Sequence, residues 1–301
     1  MEEVKSDLAP LSSEDGLRYF VRDVVEKPVR RLIDAAYGDP TVRQTPDLQG
    51  TVTFERHSNL VPPPDTTEPK RQRKPRGKGN RADQYCIYTA SSNVPVLAIE
   101  YKAPHKLSLD ELVTGLESEI QPERDIINKE GDEFVFAAKC LAAAIVTQLF
   151  SYMIGKGIQY GYEGTGEAFV FLHIPDDDPT VVYFSLCVPR LDDDDDEARI
   201  SPTAVAQAFA FLLQAMSVEP SPLSWHDNAT SLDVWPVEYD EVLRDIPEKV
   251  RKEPRATPYK PQRWKGFKRS PIQIRGRCKP LDITLQVMMT AAVRKPRSLP
   301  A

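Results

Sequence analysis

Residues 133–154 carry a strongly apolar stretch centred on Ala142-Ala143-Ala144-Ile145-Val146, and Gly155 and Gly157 follow it. The segment has no proline, and its length predicts a helix ended by glycine. Two further runs, 168–174 and 180–188, are almost continuously apolar and are separated by Asp176-Asp177-Asp178-Pro179. Runs of that kind predict strands covered on both faces, joined here by a turn. An apolar helix followed by two such strands requires a layered domain with a central sheet.

The remaining segments fill in the layers. Residues 16–37 read as a helix, with Leu17, Val21, Val24, Pro28, Leu32 and Ala36 at helical spacing and Pro28 expected to kink it. Thr51-Val52-Thr53-Phe54-Glu55 is a short strand. Residues 61–80 turn from Pro-rich to basic to Gly-containing and read as an inserted loop. Residues 83–89 and 94–102 form a hairpin around Ser91-Ser92-Asn93. Ser108 begins a helix as its N-cap, with Glu111 completing a capping box. A closing helix spans 201–217, with a proline at its start. The order α-β-loop-β-β-α-α-β-β-α predicts an α/β fold around a mixed sheet flanked by helices. It divides the chain into a disordered lead-in (1–15), one domain (16–245) and a basic Pro-rich tail or linker (246–301).

Charge is unevenly placed. The net charge is −6, yet residues 247–301 hold 15 Lys/Arg against 3 Asp/Glu, leaving the rest at −18. A basic tail on an acidic body either binds nucleic acid or pairs with the body. No run approaches 18 consecutive apolar residues, and the N-terminus lacks a signal pattern, so no membrane span or partner and a cytoplasmic or nuclear location are expected. Cys86, Cys140, Cys187 and Cys278 are too far apart in sequence for a Cys-x-x-Cys site and read as buried free thiols. Lys70-Arg71-Gln72-Arg73-Lys74-Pro75-Arg76 fits a nuclear-import signal, a DNA-backbone contact or a solvated loop. The acidic run from Asp192 to Glu197 lacks calcium-loop spacing and reads as solvated. His57, His105, His173 and His226 have no metal-ligand spacing.

The residues that carry chemistry converge on one hairpin. Glu100-Tyr101-Lys102 ends the apolar run Val94–Ile99, so Glu100 and Lys102 project to one side of a strand. Its plain alternative is a weak, exposed ion pair on a strand leaving the core. The hairpin places Asp83 beside Glu100, and two neighbouring carboxylates repel unless a cation sits between them. Magnesium answers that need with a few carboxylates and retained waters. Lys102 would then steady a water nucleophile or the developing phosphorane charge. Gln148 interrupts an apolar helix and shares a face with Tyr152. It serves either a structural hydrogen bond or the orientation of a metal water, with Tyr152 against the substrate backbone.

Asp83, Glu100-Tyr101-Lys102 and Gln148-Leu149-Phe150-Ser151-Tyr152 resemble the PD-(D/E)xK nuclease superfamily, in particular its RecB-like branch. The resemblance implies a restriction-endonuclease-like α-β-β-β-α-β core and a nuclease dependent on Mg²⁺ or Mn²⁺. It implies metal ligation by Asp83, Glu100 and the Tyr101 backbone carbonyl, with Lys102, Gln148 and Tyr152 as further site residues. A first-helix glutamate often joins such sites, and Glu26 is the matching position. Ala82 stands where many members have proline. The segments 98–107 and 150–157 also resemble a nuclease-like domain of fungal proteins that carry a kinase-like domain behind it, a plan similar to that of spore-killer proteins. No kinase motif occurs in the chain. The implied partner is nucleic acid, DNA ahead of RNA, together with a kinase-like domain. The alternative is a catalytically silent nuclease-like module that binds or regulates such a partner.

Overall fold

The structure, a computed structural model, describes residues 13–44, 48–56, 82–131, 133–192, 203–218, 221–232, 235, 237–251 and 272–273. The expected lead-in up to residue 12, the inserted loop with its basic stretch, His57, most of the acidic run, Cys278 and nearly all of the tail lie outside these residues.

Helix α1 (Glu14–Val21) starts at Ser13, whose hydroxyl accepts from the Gly16 N–H. A π-helical turn, Arg22–Glu26, joins it to α2 (Lys27–Gly38). Pro28 has no N–H for the regular ladder, and the irregular turn stands just before it. The turn also changes the buried stripe. Leu17, Val21, Val25, Val29 and Ile33 face the core, whereas Val24 and Leu32 of the expected stripe are exposed. A π turn takes up an extra residue, so a constant spacing of four stays on one face.

After the short α3 (Pro40–Gln44) come β1 (Thr51–Glu55), β2 (Gln84–Thr89) and β3 (Asn93–Tyr101), each antiparallel to the last. The β2–β3 register shifts between Cys86 and Ile87, where Cys86 faces Leu97 and Ile87 faces Pro95. A bulge there suits a proline that cannot donate to the ladder. Helix α4 (Leu109–Gly115) has the expected capping box between Ser108 and Glu111. The short α5 (Pro122–Asp125) precedes α6 (Phe134–Lys156), which ends at Gly157 with φ of 69°. Strand β4 (Tyr160–Gly164) returns parallel to β3; β5 (Phe169–His173) and β6 (Val181–Cys187) continue antiparallel. Then follow α7 (Pro189–Asp192), α8 (Ala204–Ser217), α9 (Leu223–Ser231), α10 (Tyr239–Asp245) and α11 (Glu248–Arg251), and β7 (Ile272–Gln273) pairs with β6. The sheet order is β1-β2-β3-β4-β5-β6-β7.

Two hydrophobic cores lie on opposite faces of this mixed sheet. One holds α6 with Leu112, Trp225 and Tyr239; the other holds α1, α2 and the Phe211–Leu212 side of α8. Contrary to the sequence expectation, α6 is long and apolar enough to cross a membrane by length and composition, but 72% of its most apolar window is buried inside the protein. Cys86, Cys140 and Cys187 are buried free thiols, as expected.

Three assignments change. Strand β4 was not anticipated, because Gly161 and Gly164 lower its strand propensity. Gly161 is there for space: a Cβ would stand 2.8 Å from the Ala98 carbonyl oxygen and 2.9 Å from Met153 Sδ. The closing helix begins at Ala204, with the Thr203 hydroxyl capping the Ala206 N–H, rather than at the preceding proline. The packed structure also runs past residue 245, since Arg251 is anchored on the buried Glu111.

Candidate active site

Strands β2 and β3 bring the two predicted carboxylates together. The Tyr101 N–H donates to Asp83 Oδ2 at 3.0 Å, and the Asp83 N–H donates to Glu100 Oε2 at 3.1 Å. Lys102 Nζ lies 3.0 Å from Glu100 Oε1, and both residues are buried, at 6% and 4% exposure. The exposed ion pair that the tripeptide alone would permit is therefore not what forms. From α6, Gln148 Nε2 donates to Glu100 Oε1 at 3.2 Å and to the Tyr152 hydroxyl at 2.8 Å. Helical i,i+4 spacing and strand alternation thus unite Asp83, Glu100, Lys102, Gln148 and Tyr152 in one site. The Gln148 Oε1 atom is buried and has no hydrogen-bond partner among the described residues.

A residue not singled out in the sequence completes this cluster. Glu163 of β4 stands opposite Glu100 in the parallel register and is fully buried. Among the described residues neither of its carboxylate oxygens has a hydrogen-bond partner. The signal was present in Tyr160-Gly161-Tyr162-Glu163-Gly164, where aromatic residues alternate with small or acidic ones, but it became visible only once the segment was known to be a strand.

Burial dominates the electrostatics. It raises the Glu100 pKa to about 7, with Lys102 opposing and Asp83 adding to the rise. Burial also raises Asp83, and it pushes Glu163 well above the usual carboxylate range. For Lys102, burial favours the neutral amine, but Glu100 and Glu163 outweigh it and hold the ammonium charged. Lys102 Nζ also lies 5.4 Å from the centroid of the Tyr239 ring, whose hydroxyl donates to the Lys106 carbonyl.

Glu26 is placed elsewhere. Tyr101 points to the face opposite Glu100 and Lys102, and there its hydroxyl donates to Glu26. Gln84 Nε2 at 2.7 Å and the Tyr162 hydroxyl at 3.0 Å complete the coordination of that carboxylate. Burial raises the Glu26 pKa, and the three hydrogen bonds oppose the rise. Glu26 thus joins a buried tyrosine network on the far side of the sheet from Lys102.

The donor set around Asp83 fits a hard divalent cation. Among the described residues no three His, Cys, Asp or Glu side chains are grouped to hold a metal. Magnesium does not need three, because it keeps several waters and takes one or two carboxylates. Asp83 and Glu100 supply those, and the partnerless Gln148 Oε1 could accept from such a water. A cleft of about 350 Å³ opens on Asp83, lined also by Ser13, Glu14, Asp15, Arg18 and Tyr101.

Comparison with known proteins adds the family. The chain is 29% identical over 133 residues to the meiotic driver SPOK2 of Podospora anserina, a match covering 40% of this chain and 17% of that protein. No solved structure matches. Residues 55–223 match the family model of the Spore killer 2 N-terminal domain, a span that contains Asp83, Glu100, Lys102, Gln148, Tyr152 and Glu163 but not Glu26 or Arg251. The chain belongs to the Spore killer 2 N-terminal domain family.

Proposed function

We propose that this chain is a metal-dependent nuclease domain of restriction-endonuclease-like fold that hydrolyses phosphodiester bonds of DNA or RNA. The observation that carries the reading is the buried junction of Asp83, Glu100, Lys102 and Gln148, drawn from two strands and a helix. The chain order α1-α2-α3-β1-β2-β3-α4-α5-α6-β4, with β4 parallel to β3, supports this reading in that α1, β1, β2, β3, α6 and β4 follow the implied α-β-β-β-α-β sequence once the intervening helices α2 to α5 are taken as additions.

In this reading Asp83, Glu100 and the Tyr101 carbonyl hold Mg²⁺ or Mn²⁺. Such an ion polarises a phosphoryl oxygen and lowers the pKa of a bound water. Lys102 holds its ammonium where negative charge develops on the phosphorus oxygens. Gln148 orients the attacking water through Oε1, and Tyr152 fixes the Gln148 amide and faces the substrate backbone. The basic residues of the C-terminal segment would attract the polyanion. As a relative of a meiotic driver, the chain would act as the nucleic-acid-cutting part of a longer protein, with a kinase-like domain as its partner, in the cytoplasm or nucleus.

The test is a cleavage assay on single- and double-stranded DNA and RNA with Mg²⁺, Mn²⁺ or EDTA. Cleavage that needs the metal and is lost in Asp83→Ala and Glu100→Ala supports the reading. Metal binding by the wild type without cleavage of any substrate would leave a silent nuclease-like binding module.

A further inference from the structure

The Lys102 ammonium is buried yet thinly bonded. Among the described residues its N–H donors have one hydrogen-bond acceptor, Glu100 Oε1 at 3.0 Å. A flexible four-carbon stem held by a single such bond leaves the charge free to swing. The face of the Tyr239 ring stands beside it, with the ring centroid 5.4 Å from Nζ.

Tyr239 is 2% exposed and opens α10. Its place does not depend on Lys102. The Tyr239 hydroxyl donates to the Lys106 carbonyl at 2.8 Å, and Arg251 donates to the same carbonyl at 2.6 Å. Lys106 Nζ in turn lies 3.2 Å from Asp240, the residue after Tyr239. The helices α10 and α11 therefore grip the turn that follows Lys102 and fix the ring. A ring within about 6 Å attracts an ammonium through its quadrupole, most strongly where water is excluded. Packing alone would accept any apolar side chain here, whereas a charge against the ring face draws on the ring's electrons.

We propose that Tyr239 is a positioning residue for Lys102: its ring face holds the buried ammonium toward Glu100. The inference deepens the reading above, in which Lys102 meets the developing charge, and its catalytic meaning rests on that reading. Glu100 fixes one side of the ammonium and the ring another, so the charge is aimed before substrate arrives. It also extends the site beyond residues 55–223, the span that matches the family model.

The experiment compares the wild type, Tyr239→Phe and a chain with a trifluorinated phenylalanine at position 239. Fluorine withdraws electron density from the ring face and changes its shape little. NMR of the full chain, with labelled lysine and neither metal nor substrate, reads the exchange of the Lys102 Nζ protons with water. Tyr239→Phe should exchange within about twofold of the wild type. The fluorinated chain should exchange about 5–30-fold faster, equivalent to losing about 1–2 kcal/mol of cation–π attraction. Equal exchange in Tyr239→Phe and the fluorinated chain would make the ring a space-filler and overturn the proposal. So would a wild-type Nζ signal already lost to water exchange. If the fluorinated chain does not fold, the ring current decides: the Lys102 Cε protons should be shifted upfield in the wild type and in Tyr239→Phe, and unshifted protons overturn the proposal. The readout involves no cleavage, so a fluorine effect in a chain that cuts no substrate would uphold the ring's hold on Lys102 while the nuclease reading fails.

Discussion

Arg251 should hold the C-terminal helices against the site, and its removal gives a measurable loss. Its Nε lies 2.5 Å from Glu111 Oε1, and its terminal nitrogen lies 3.0 Å from Glu111 Oε2 and 2.6 Å from the Lys106 carbonyl. The side chains are 16% and 1% exposed, so this is a largely desolvated pair. Breaking a buried pair by removing one partner costs about 3–5 kcal/mol. Two features lower that figure here: water can reach the Arg251 side, and Ser108 still donates to Glu111 through its N–H and hydroxyl. We expect Arg251→Met to lose about 2–4 kcal/mol by urea denaturation, or roughly 4–16 °C in Tm for a domain of this size. Glu111→Gln added to Arg251→Met should recover part of the loss, because the stranded charge is gone. A loss below about 0.5 kcal/mol, the level of an ordinary surface change, would refute the anchoring role.

Three further outcomes follow from the packing and the charges. Gly161→Ala should destabilise by about 1–3 kcal/mol, because its Cβ must displace a backbone carbonyl; an unchanged Tm would show that β4 and α6 are not in contact there. Burial lowers the His173 pKa from 6.5 to about 4, so the unfolded chain binds the extra proton between these values. His173 therefore contributes stability that is full above pH about 6.5 and falls as the pH drops toward 4, by up to about 3 kcal/mol; His173→Phe should flatten the pH–stability curve in that window. In the proposed site a cation would have to displace the proton from Glu100, whose pKa burial raises to about 7. Mg²⁺ affinity should thus fall up to about tenfold per pH unit below 7, and calorimetry showing a flat profile from pH 5 to 7 would contradict Glu100 as a ligand.

The parts of this molecule that rest on local rules were legible in its sequence. The Ser108–Glu111 capping box, the hairpin at Ser91–Asn93, the glycine cap of α6 and the apolar strands β5 and β6 all follow from short-range chemistry. So did the meeting of Asp83, Glu100, Lys102, Gln148 and Tyr152, because strand alternation and i,i+4 helix spacing aim these side chains. What escaped depended on tertiary context. The π turn moved the α1–α2 stripe from Val24 and Leu32 to Val25, Val29 and Ile33 and put Glu26 into a tyrosine network. Strand β4 looked too rich in glycine, although its glycines are what let α6 and Tyr101 pack closely. Glu163 was lost with that strand. The helices beyond residue 220 are short and only partly apolar, and docking on α6 rather than intrinsic periodicity defines them.

The most direct measurement is single-turnover cleavage by Lys102→Ala beside the wild type, with Mg²⁺ saturating in both. In the proposed reaction Lys102 would face the charge that develops in the transition state, so its loss should slow cleavage by about 10²–10³-fold, roughly 3–4 kcal/mol. Mg²⁺ should still bind to Asp83 and Glu100, and the protein should remain folded. Equal rates in the two proteins, or no cleavage by the wild type with either metal on any of the four substrates, would contradict the account.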